Sequence, residues 1–244
     1  SLDDTFAGVD GIIIPGGFGS RGTEGMILAA NYARENKIPF LGICLGMQMA
    51  MVAFARNVLG YADANSSELN PDTTHPVVDL MPDQNGVENL GGTLRLGSYP
   101  CVLDKKSKAY ALYGTDMIQE RHRHRFEINN DYRDDFTSHG MMISGQSPDG
   151  HIVEMIELPE HPFYVGIQAH PEFKSRPNHA HPLFAGFVES AEEQGVLRRA
   201  KKLLMKRNHL SESEAHRYLQ KTSMDTGRTM AESAHMVTML IQED

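Results

Sequence analysis

A single cysteine lies at a sharp bend between a predicted strand and a predicted helix. Residues 38–48 read I-P-F-L-G-I-C-L-G-M-Q, so an apolar run ends in G-I-C-L-G, centred on Cys44, and a helical pattern continues to about Leu59. Glycines two residues before and after a nucleophile are typical of a nucleophile elbow, because larger side chains would collide in so tight a turn. The N-terminus of the following helix would favour the thiolate over the thiol. An inert buried cysteine is the alternative interpretation, and this motif alone leaves both open.

The bulk composition limits the class of protein. A chain of 244 residues can hold one large domain, or a medium one with a small appendage. A formal net charge of -9 argues against nucleic-acid binding over the whole surface, although a local basic patch is compatible with it. The two cysteines, Cys44 and Cys101, predict no disulfide framework and fit a reducing cytosol. No signal-peptide pattern opens the chain and no apolar run approaches membrane-spanning length, so we predict a cytoplasmic protein without membrane contact.

The first half of the chain alternates strand and helix patterns. Residues 9–14 predict a buried strand, residues 23–36 a helix and residues 38–43 a second strand. This alternation predicts an α/β fold with a mostly parallel sheet flanked by helices. The turn P-G-G-F-G at residues 15–19 matches neither common phosphate-binding pattern, so we expect its backbone N–H groups to serve an oxyanion. A plain strand-to-helix connection is the alternative.

The middle of the chain predicts a long polar loop and several short strands. The loop covers residues 62–92, and the turn S-P-D-G at residues 147–150 indicates a hairpin. The short strands are expected at residues 93–103, 117–118, 126–128, 141–144 and 151–156.

The hexapeptide E-R-H-R-H-R at residues 120–125 combines two histidines with three arginines. In a strand, His122 and His124 would share one face and the arginines the other. No third ligand stands at a convincing spacing, so no metal site is predicted. A basic row that binds a carboxylate is one interpretation, and an exposed charged edge strand is the other.

The last apolar strand, residues 163–168, leads directly into A-H-P-E. His170 and Glu172 lie two residues apart on an extended chain, which suits a carboxylate that orients an imidazole. Together with Cys44 upstream, they predict a Cys-His-Glu triad.

These motifs together resemble a known family. P-G-G-F-G, G-I-C-L-G-M-Q and H-P-E are the marks of class I (triad) glutamine amidotransferases. The wider matches resemble the CTP synthase branch of that family, and they cover about residues 10–188. They are G-G-F-G-S-R-G at 16–22, A-R-E-N at 33–36, G-G-T-L-R-L-G at 91–97, residues 120–130, and H-P-E-F-K-S-R-P at 170–177. We therefore expect a glutaminase domain over residues 1–188.

The resemblance implies a role for each matching residue. Cys44 would attack the side-chain amide of glutamine, His170 would carry the proton to departing ammonia, and Glu172 would hold the imidazole. Backbone N–H groups of Gly17 and Leu45 would form the oxyanion hole. The residues that would hold glutamine are Gly17, Leu45, Gln48, Glu68, Arg125 and Phe126. A carboxylate such as Glu68 suits the α-ammonium, and the Arg125 fork suits the α-carboxylate.

The same resemblance implies a partner activity that this chain does not carry. In the family, ammonia passes to a synthase domain where ATP and magnesium activate UTP for conversion to CTP. No motif for that domain is present, so we expect no cofactor on this chain, and as partners glutamine, a synthase domain or full-length CTP synthase, and an oligomer. By the family pattern the chain also begins inside the amidotransferase fold. A fragment, a degenerate copy, and a sheet completed by another chain remain open.

After residue 188 the composition changes. Residues 189–208 form an amphipathic helical pattern whose polar side is basic. S-E-S-E at 211–214 and T-M-A-E at 229–232 are capping boxes that open two further helices. Residues 189–244 therefore predict a small three-helix bundle. The candidate RNA-binding residues are Arg198, Arg199, Lys201, Lys202, Lys206 and Arg207.

This bundle resembles the ANTAR domain, an RNA-binding module of bacterial antiterminators. The matching segments are A-K-K-L-L-M at 200–205, L-S-E-S-E-A at 210–215, L-Q-K at 219–221, Met224 and residues 231–234. The resemblance implies salt-sensitive RNA binding through the basic residues. A helical appendage for packing or dimerisation is the alternative. For the whole chain, an inactive amidotransferase scaffold carrying an RNA-binding module is the second hypothesis, and a triad amidotransferase with another acceptor is the third.

Overall fold

The computed structural model describes residues 1–81 and 95–242. It divides into two compact units, Ser1–Phe187 and Val188–Asp244. The G-G-T-L part of the motif predicted at residues 91–97, and residues 82–92 of the predicted loop, lie outside the described residues. Among the described residues, no helix is long and apolar enough to cross a membrane.

The first unit contains two sheets and several helices. Its strands are β1 (Ile12–Ile14), β2 (Phe40–Ile43), β3 (Asn65–Ser66), β4 (Pro76–Asp79), β5 (Arg95–Leu103), β6 (Met117–His124), β7 (Glu127–Ile128), β8 (Met142–Gln146), β9 (Val153–Glu157) and β10 (Tyr164–Ile167). Its α-helices are α1 (Leu2–Thr5), α2 (Thr23–Glu35), α3 (Leu45–Asn57), α4 (Lys108–Tyr113) and α5 (Arg133–Ser138). Short 3₁₀ turns span Asn130–Tyr132 and Pro171–Phe173. The predicted α/β fold is confirmed.

The main sheet is mixed rather than mostly parallel. Its seven described strands lie in the order β1-β2-β10-β9-β8-β5-β6. Only β1–β2 and β2–β10 pair in parallel, and the other four pairs are antiparallel. The expectation of a mostly parallel sheet was therefore wrong for this half of the sheet. Part of the reason is that short turns join β8 to β9 and β9 to β10, including the predicted one at residues 147–150, and short turns join antiparallel neighbours.

The parallel part of the sheet brings two distant segments together. In the β2–β10 ladder, Gly166 lies opposite Gly42 and Ile167 opposite Ile43. The Cys44 N–H continues the ladder by donating to the Ile167 carbonyl oxygen at 2.8 Å. The residues that follow β2 and β10 therefore emerge side by side at the carboxyl edge of the sheet, where α/β folds place their ligands.

Apolar packing holds α3, β2 and β10 together near the carboxyl edge of the sheet. Eleven of the thirteen residues of α3 are buried, so this helix lies inside the unit rather than on its surface. Tyr164 on β10 stacks on Phe40 of β2, with ring centroids 4.4 Å apart. A close-packed core of this kind resists local movement, so the start of α3 is held firmly relative to β2 and β10.

The second unit is built on three helices that share one apolar core. They are α6 (Pro182–Asn208), α7 (Glu212–Thr226) and α8 (Met230–Gln242). The buried core residues are Ala200, Leu204, Ala215, Leu219, Ala234 and Val237. Both predicted capping boxes form, at Ser211 with Glu214 and at Thr229 with Glu232. Helix α6 begins at Pro182, earlier than the predicted residue 189, because its first turns carry Leu183 and Phe187 into the core of the first unit.

Candidate active site

Cys44 occupies a strained turn between β2 and α3. Its φ is 51° and its ψ is -105°, a conformation that L-residues rarely adopt. The flanking glycines are required by close backbone contacts. A Cβ on Gly42 would lie 2.7 Å from the Gly46 carbonyl oxygen, and a Cβ on Gly46 would overlap the carbonyl oxygen of Ile14. This is the geometry of a nucleophile elbow, in the form that the sequence predicted.

His170 is held by contacts on three sides. Its backbone N–H donates to the Arg121 carbonyl oxygen at 2.8 Å, and its ring stacks on Phe173 with centroids 5.0 Å apart. Its Nδ1 lies 2.6 Å from Glu172 Oε1. Since the carboxylate accepts a hydrogen bond from Nδ1–H, the lone pair of the imidazole lies on Nε2, which can act as a base. That Nε2 is buried and has no hydrogen-bond partner among the described residues.

The imidazole of His170 and the Cβ of Cys44 both lie beside Gly16. A Cβ built on Gly16 would lie 2.7 Å from His170 Cε1 and 3.5 Å from Cys44 Cβ. Any side chain at this position would therefore push the imidazole away from the nucleophile. The structure brings Cys44, His170 and Glu172 to one place, although 125 residues lie between Cys44 and His170 in the chain.

The glycine-rich turn after β1 lies beside the start of α3. A Cβ on Gly17 would contact Leu45 Cδ2 at 3.4 Å, so the two predicted oxyanion-hole residues are neighbours. The Leu45 N–H favours a negative charge on the Cys44 sulfur and so acts to lower the pKa of the thiol. As the first residue of α3, Leu45 has a backbone N–H with no acceptor in the helix, so this donor is also available to an anion at the same point.

One cavity of about 210 Å³ opens over Cys44. Its lining includes all of the predicted substrate-binding residues, which are Gly17, Leu45, Gln48, Glu68, Arg125 and Phe126. His170 and Glu172 do not line it, and the His170 ring lies beside Gly16 instead. Glu68 and Arg125 supply opposite charges to the cavity. Burial raises the pKa of Glu68, and the Arg125 guanidinium opposes this rise.

The Gln48 side chain is already engaged as a donor. Its Nε2 donates to the Phe126 carbonyl oxygen at 3.1 Å and to Gln168 Oε1 at 3.2 Å. An amide nitrogen has only two hydrogens. A ligand in the cavity can therefore use Gln48 only through its carbonyl oxygen Oε1, which accepts hydrogen bonds.

The thiol of Cys44 is protonated in the ligand-free site. Burial raises its pKa to about 12, and the carboxylates of Glu127 and Glu172 add to the rise. The Leu45 N–H opposes this, but desolvation is the larger effect. The start of the helix favours the thiolate, as expected, but burial in a site that excludes water penalises the charged sulfur more strongly.

The side chains of the E-R-H-R-H-R segment alternate between exposed and buried as expected, and the buried ones belong to a network of charged side chains. His122 and His124 face inward on β6, whereas Arg121 and Arg123 are exposed. Inside, Arg95 Nη2 lies 2.6 Å from Glu154 Oε1 and Arg95 Nη1 lies 3.3 Å from Glu127 Oε1. His124 Nε2 lies 2.8 Å from the same Glu127 oxygen. The described residues contain no cluster of three or more side chains able to hold a metal ion.

Sequence reasoning missed this network and Gln168. Burial and the neighbouring Arg95 lower the pKa of His122 to about 2, so its imidazole is neutral. Glu127, Glu154 and Gln168 are each at most 2% exposed. Their signal in the sequence was a polar residue inside an apolar strand, which by itself does not reveal a partner.

The six candidate RNA-binding residues of α6 separate into distinct environments. Lys201 Nζ lies 2.7 Å from Glu212 on α7, and Arg207 Nη1 donates to the Ile241 carbonyl oxygen at 3.4 Å. Arg198 is half-buried. Arg199, Lys202 and Lys206 are exposed and follow one another at spacings of three and four residues, so they form one stripe on the outer face of the helix. We call these three residues the basic stripe.

Comparison with known families divides the chain in two. The family model described as Glutamine amidotransferase class-I matches residues 1–190, and that of the ANTAR domain matches residues 187–237.

Relatives of known identity match the first of these parts. The CTP synthase of Clostridium beijerinckii is 60% identical over 186 residues, which make up 76% of this chain and 35% of that protein. The CTP synthase of Moorella thermoacetica is 61% identical over 183 residues, 75% of this chain and 34% of that protein. The chain thus spans about a third of the length of these relatives. The solved glutaminase domain of Trypanosoma brucei CTPS with bound acivicin has a TM-score of 0.74 and 38% identity, and the match covers 79% of this chain and 74% of that one.

Proposed function

The chain belongs to the class I glutamine amidotransferase family and carries an ANTAR domain, and we propose that its first unit is the glutaminase of a CTP synthase-like enzyme. It would hydrolyse L-glutamine to glutamate and ammonia through a thioester on Cys44. The observation that carries this proposal is the convergence at Gly16, where a buried imidazole, whose Nε2 has no hydrogen-bond partner among the described residues, lies beside a cysteine in a strained turn.

The first step forms the thioester. Cys44 Sγ attacks the side-chain amide carbon of glutamine while His170 Nε2 takes the thiol proton. Because burial raises the pKa of Cys44 to about 12, this proton transfer has to accompany the attack. The backbone N–H groups of Gly17 and Leu45 hold the negative oxygen of the tetrahedral intermediate. His170 then passes the proton to the leaving nitrogen, and ammonia departs.

The second step releases glutamate. A water molecule attacks the thioester carbon, and His170 Nε2 accepts a proton from it. The carbon–sulfur bond breaks and the thiol is restored, so one glutamine and one water give one glutamate and one ammonia. Glu172 accepts the Nδ1–H bond at 2.6 Å throughout, which keeps the other ring nitrogen available.

The cavity provides the charges that glutamine requires. Glu68 offers a carboxylate to the α-ammonium group, and Arg125 offers a guanidinium fork to the α-carboxylate. Both amide hydrogens of Gln48 are donated within the protein. Gln48 would therefore contact the substrate through Oε1, which accepts a hydrogen bond from an N–H. Glutamine would thus be fixed at its head while its amide reaches Cys44.

We further propose that the ammonia serves the amination of UTP to CTP on a synthase domain. The CTP synthases named above support this acceptor, at about 60% identity over the glutaminase region. That domain would need ATP and magnesium. The described residues of this chain do not fit either, since they contain neither a metal-binding cluster nor a phosphate-binding sequence motif.

Acivicin, the ligand named for the trypanosomal glutaminase domain, provides a test of the site. We expect it to label Cys44 and not Cys101 in the full chain, as located by mass spectrometry of the digested protein, and we expect excess glutamine to prevent the labelling. Cys101 is the matched control, because it is also a buried thiol whose pKa is raised by burial. Labelling of neither cysteine, or of both alike, would contradict the proposal.

We also propose that the second unit binds RNA through the basic stripe. The ANTAR match supports the class of ligand, and the exposure of three cations at helical spacing supports the surface. Phosphate groups bind such a stripe by releasing counterions, which makes the affinity depend on salt.

Salt titration with RNA tests this second proposal. Changing Arg199, Lys202 and Lys206 together to glutamine should weaken binding to a pool of RNA stem-loops and lower the slope of log K against log salt by about 2. Lys201→Gln is the matched control, since Lys201 is already paired with Glu212 and should change the slope little. An unchanged slope in the triple variant, or an equal change in Lys201→Gln, would exclude the basic stripe as the RNA contact.

A further inference from the structure

Gln168 is a buried amide in contact with the nucleophile. It follows β10 directly, two residues before His170, and its side chain is fully buried. Its Nε2 lies 3.6 Å from Cys44 Sγ, within the range of an N–H···S hydrogen bond. Its backbone N–H donates to the Glu154 carbonyl oxygen at 2.9 Å, which fixes the residue against β9.

A second amide determines which end of Gln168 faces the sulfur. Gln48 Nε2 donates to Gln168 Oε1 at 3.2 Å and to the Phe126 carbonyl oxygen at 3.1 Å. Since a carbonyl oxygen can only accept, Phe126 requires an N–H at Gln48, and Gln48 in turn requires an oxygen at Gln168. The remaining end of the Gln168 amide is therefore its NH₂ group, directed at Cys44.

We propose that Gln168 is a positioning residue for the nucleophile, and that the chain Phe126–Gln48–Gln168 delivers an N–H to the Cys44 sulfur to orient it and to stabilise its charge during attack. This role rests on the proposed glutaminase function. Gln168 does not line the cavity over Cys44, so its amide acts on the reaction through the sulfur and through Gln48, whose Nε2 donates to Gln168 Oε1.

The charges around Cys44 explain why such a donor matters. The carboxylates of Glu127, on β7, and Glu172, after β10, both disfavour a negative sulfur, as does burial. Two groups favour it, the Leu45 N–H at the start of α3 and the Gln168 amide. His170 receives the proton. Losing the Gln168 donor should therefore lower the fraction of thiolate at every pH below the pKa of Cys44.

Alkylation by iodoacetamide measures this thiolate without requiring glutamine turnover. Gln168→Met keeps the length of the side chain but removes both the donor to Cys44 and the acceptor for Gln48. We expect Cys44 in this variant to react about tenfold more slowly at each pH from about 7 to 10, the size of one hydrogen bond to a charged group. The expected change in glutamine hydrolysis is a similar fall in kcat with KM nearly unchanged. Gln146→Met is the matched control, because Gln146 also accepts a side-chain hydrogen bond but does so on β8, from Arg133.

Cys101 reports folding in the same sample. It is buried, so it should stay unreactive in any variant that keeps the fold. Unchanged Cys44 alkylation in Gln168→Met, with Cys101 still protected, would overturn the inference. If Cys101 becomes reactive, Gln168→Glu is judged by the same criterion, because its size is the same and its ionised carboxylate can accept from Gln48 but donates nothing. If Cys44 slows as expected but the wild-type chain releases no glutamate, the proposed function fails while the hydrogen bond stands.

Discussion

Alanine in place of His170 will lower kcat/KM for glutamine hydrolysis about a thousandfold, the usual contribution of a positioned general base and acid. The thiol of Cys44 has its pKa raised to about 12 by burial. Without a base nearby, few sulfurs are ionised at neutral pH, and the leaving nitrogen also loses its proton donor. The measurement is a coupled assay of glutamate release at several pH values.

The pH dependence of the variant separates this role from a structural one. Below a pKa of about 12, each pH unit raises the thiolate fraction tenfold, so residual activity in His170→Ala should climb steadily with pH. The wild type should climb less, because His170 already supplies the base. His151→Ala is the control, since His151 is exposed and outside the cavity, and it should keep full activity. Activity of His170→Ala within about tenfold of wild type would rule out His170 as the base.

The parts of the site set by the backbone could be predicted from the sequence. Gly42 and Gly46 stand where a Cβ would meet backbone atoms, so the turn at Cys44 requires glycine and the motif reports it. His170 and Glu172 are two residues apart at the start of the 3₁₀ turn Pro171–Phe173, rather than on the extended chain that was expected, and their contact follows from this local geometry. The capping boxes of α7 and α8 are equally local, which is why both were predicted correctly.

The parts set by distant contacts could not be predicted. Strand direction in the main sheet depends on which strands become neighbours, and the antiparallel half was missed for that reason. Arg95 on β5 forms ion pairs with Glu127 on β7 and Glu154 on β9, and the spacing of these residues in the sequence does not predict those pairs. The protonated state of Cys44 also depends on burial, which outweighs the helix N-terminus that the sequence made visible.

The tail shows how structure sharpens a compositional prediction. Six basic residues of α6 were candidates for RNA contact, yet Lys201 pairs with Glu212 on α7 and Arg207 donates to the backbone near the end of α8. From composition alone, all six charges are equal candidates. A cation that already has a partner in the protein must give up that contact to bind a phosphate, whereas the exposed residues of the basic stripe have no such contact to break among those described. The basic stripe is therefore the part of that prediction which the structure favours.

The second large effect concerns the nucleophile itself. Cys44→Ala removes the sulfur that forms the thioester with the substrate carbon, so hydrolysis should fall to the background of the assay while the fold is kept. Alanine is smaller than cysteine and introduces no new polar group, and Cys44 is only 4% exposed. Circular dichroism and protection of Cys101 from alkylation would show that the variant is folded.

Glutamate release by the purified wild-type and Cys44→Ala chains, with acid-quenched samples examined by mass spectrometry, tests the central claim most directly. The wild type is expected to release glutamate and ammonia in equal amounts and to carry a γ-glutamyl thioester on Cys44, and the variant is expected to do neither. Equal glutamate release from both chains would contradict the triad. No release from a folded wild-type chain would instead favour an inactive amidotransferase scaffold that carries an RNA-binding module.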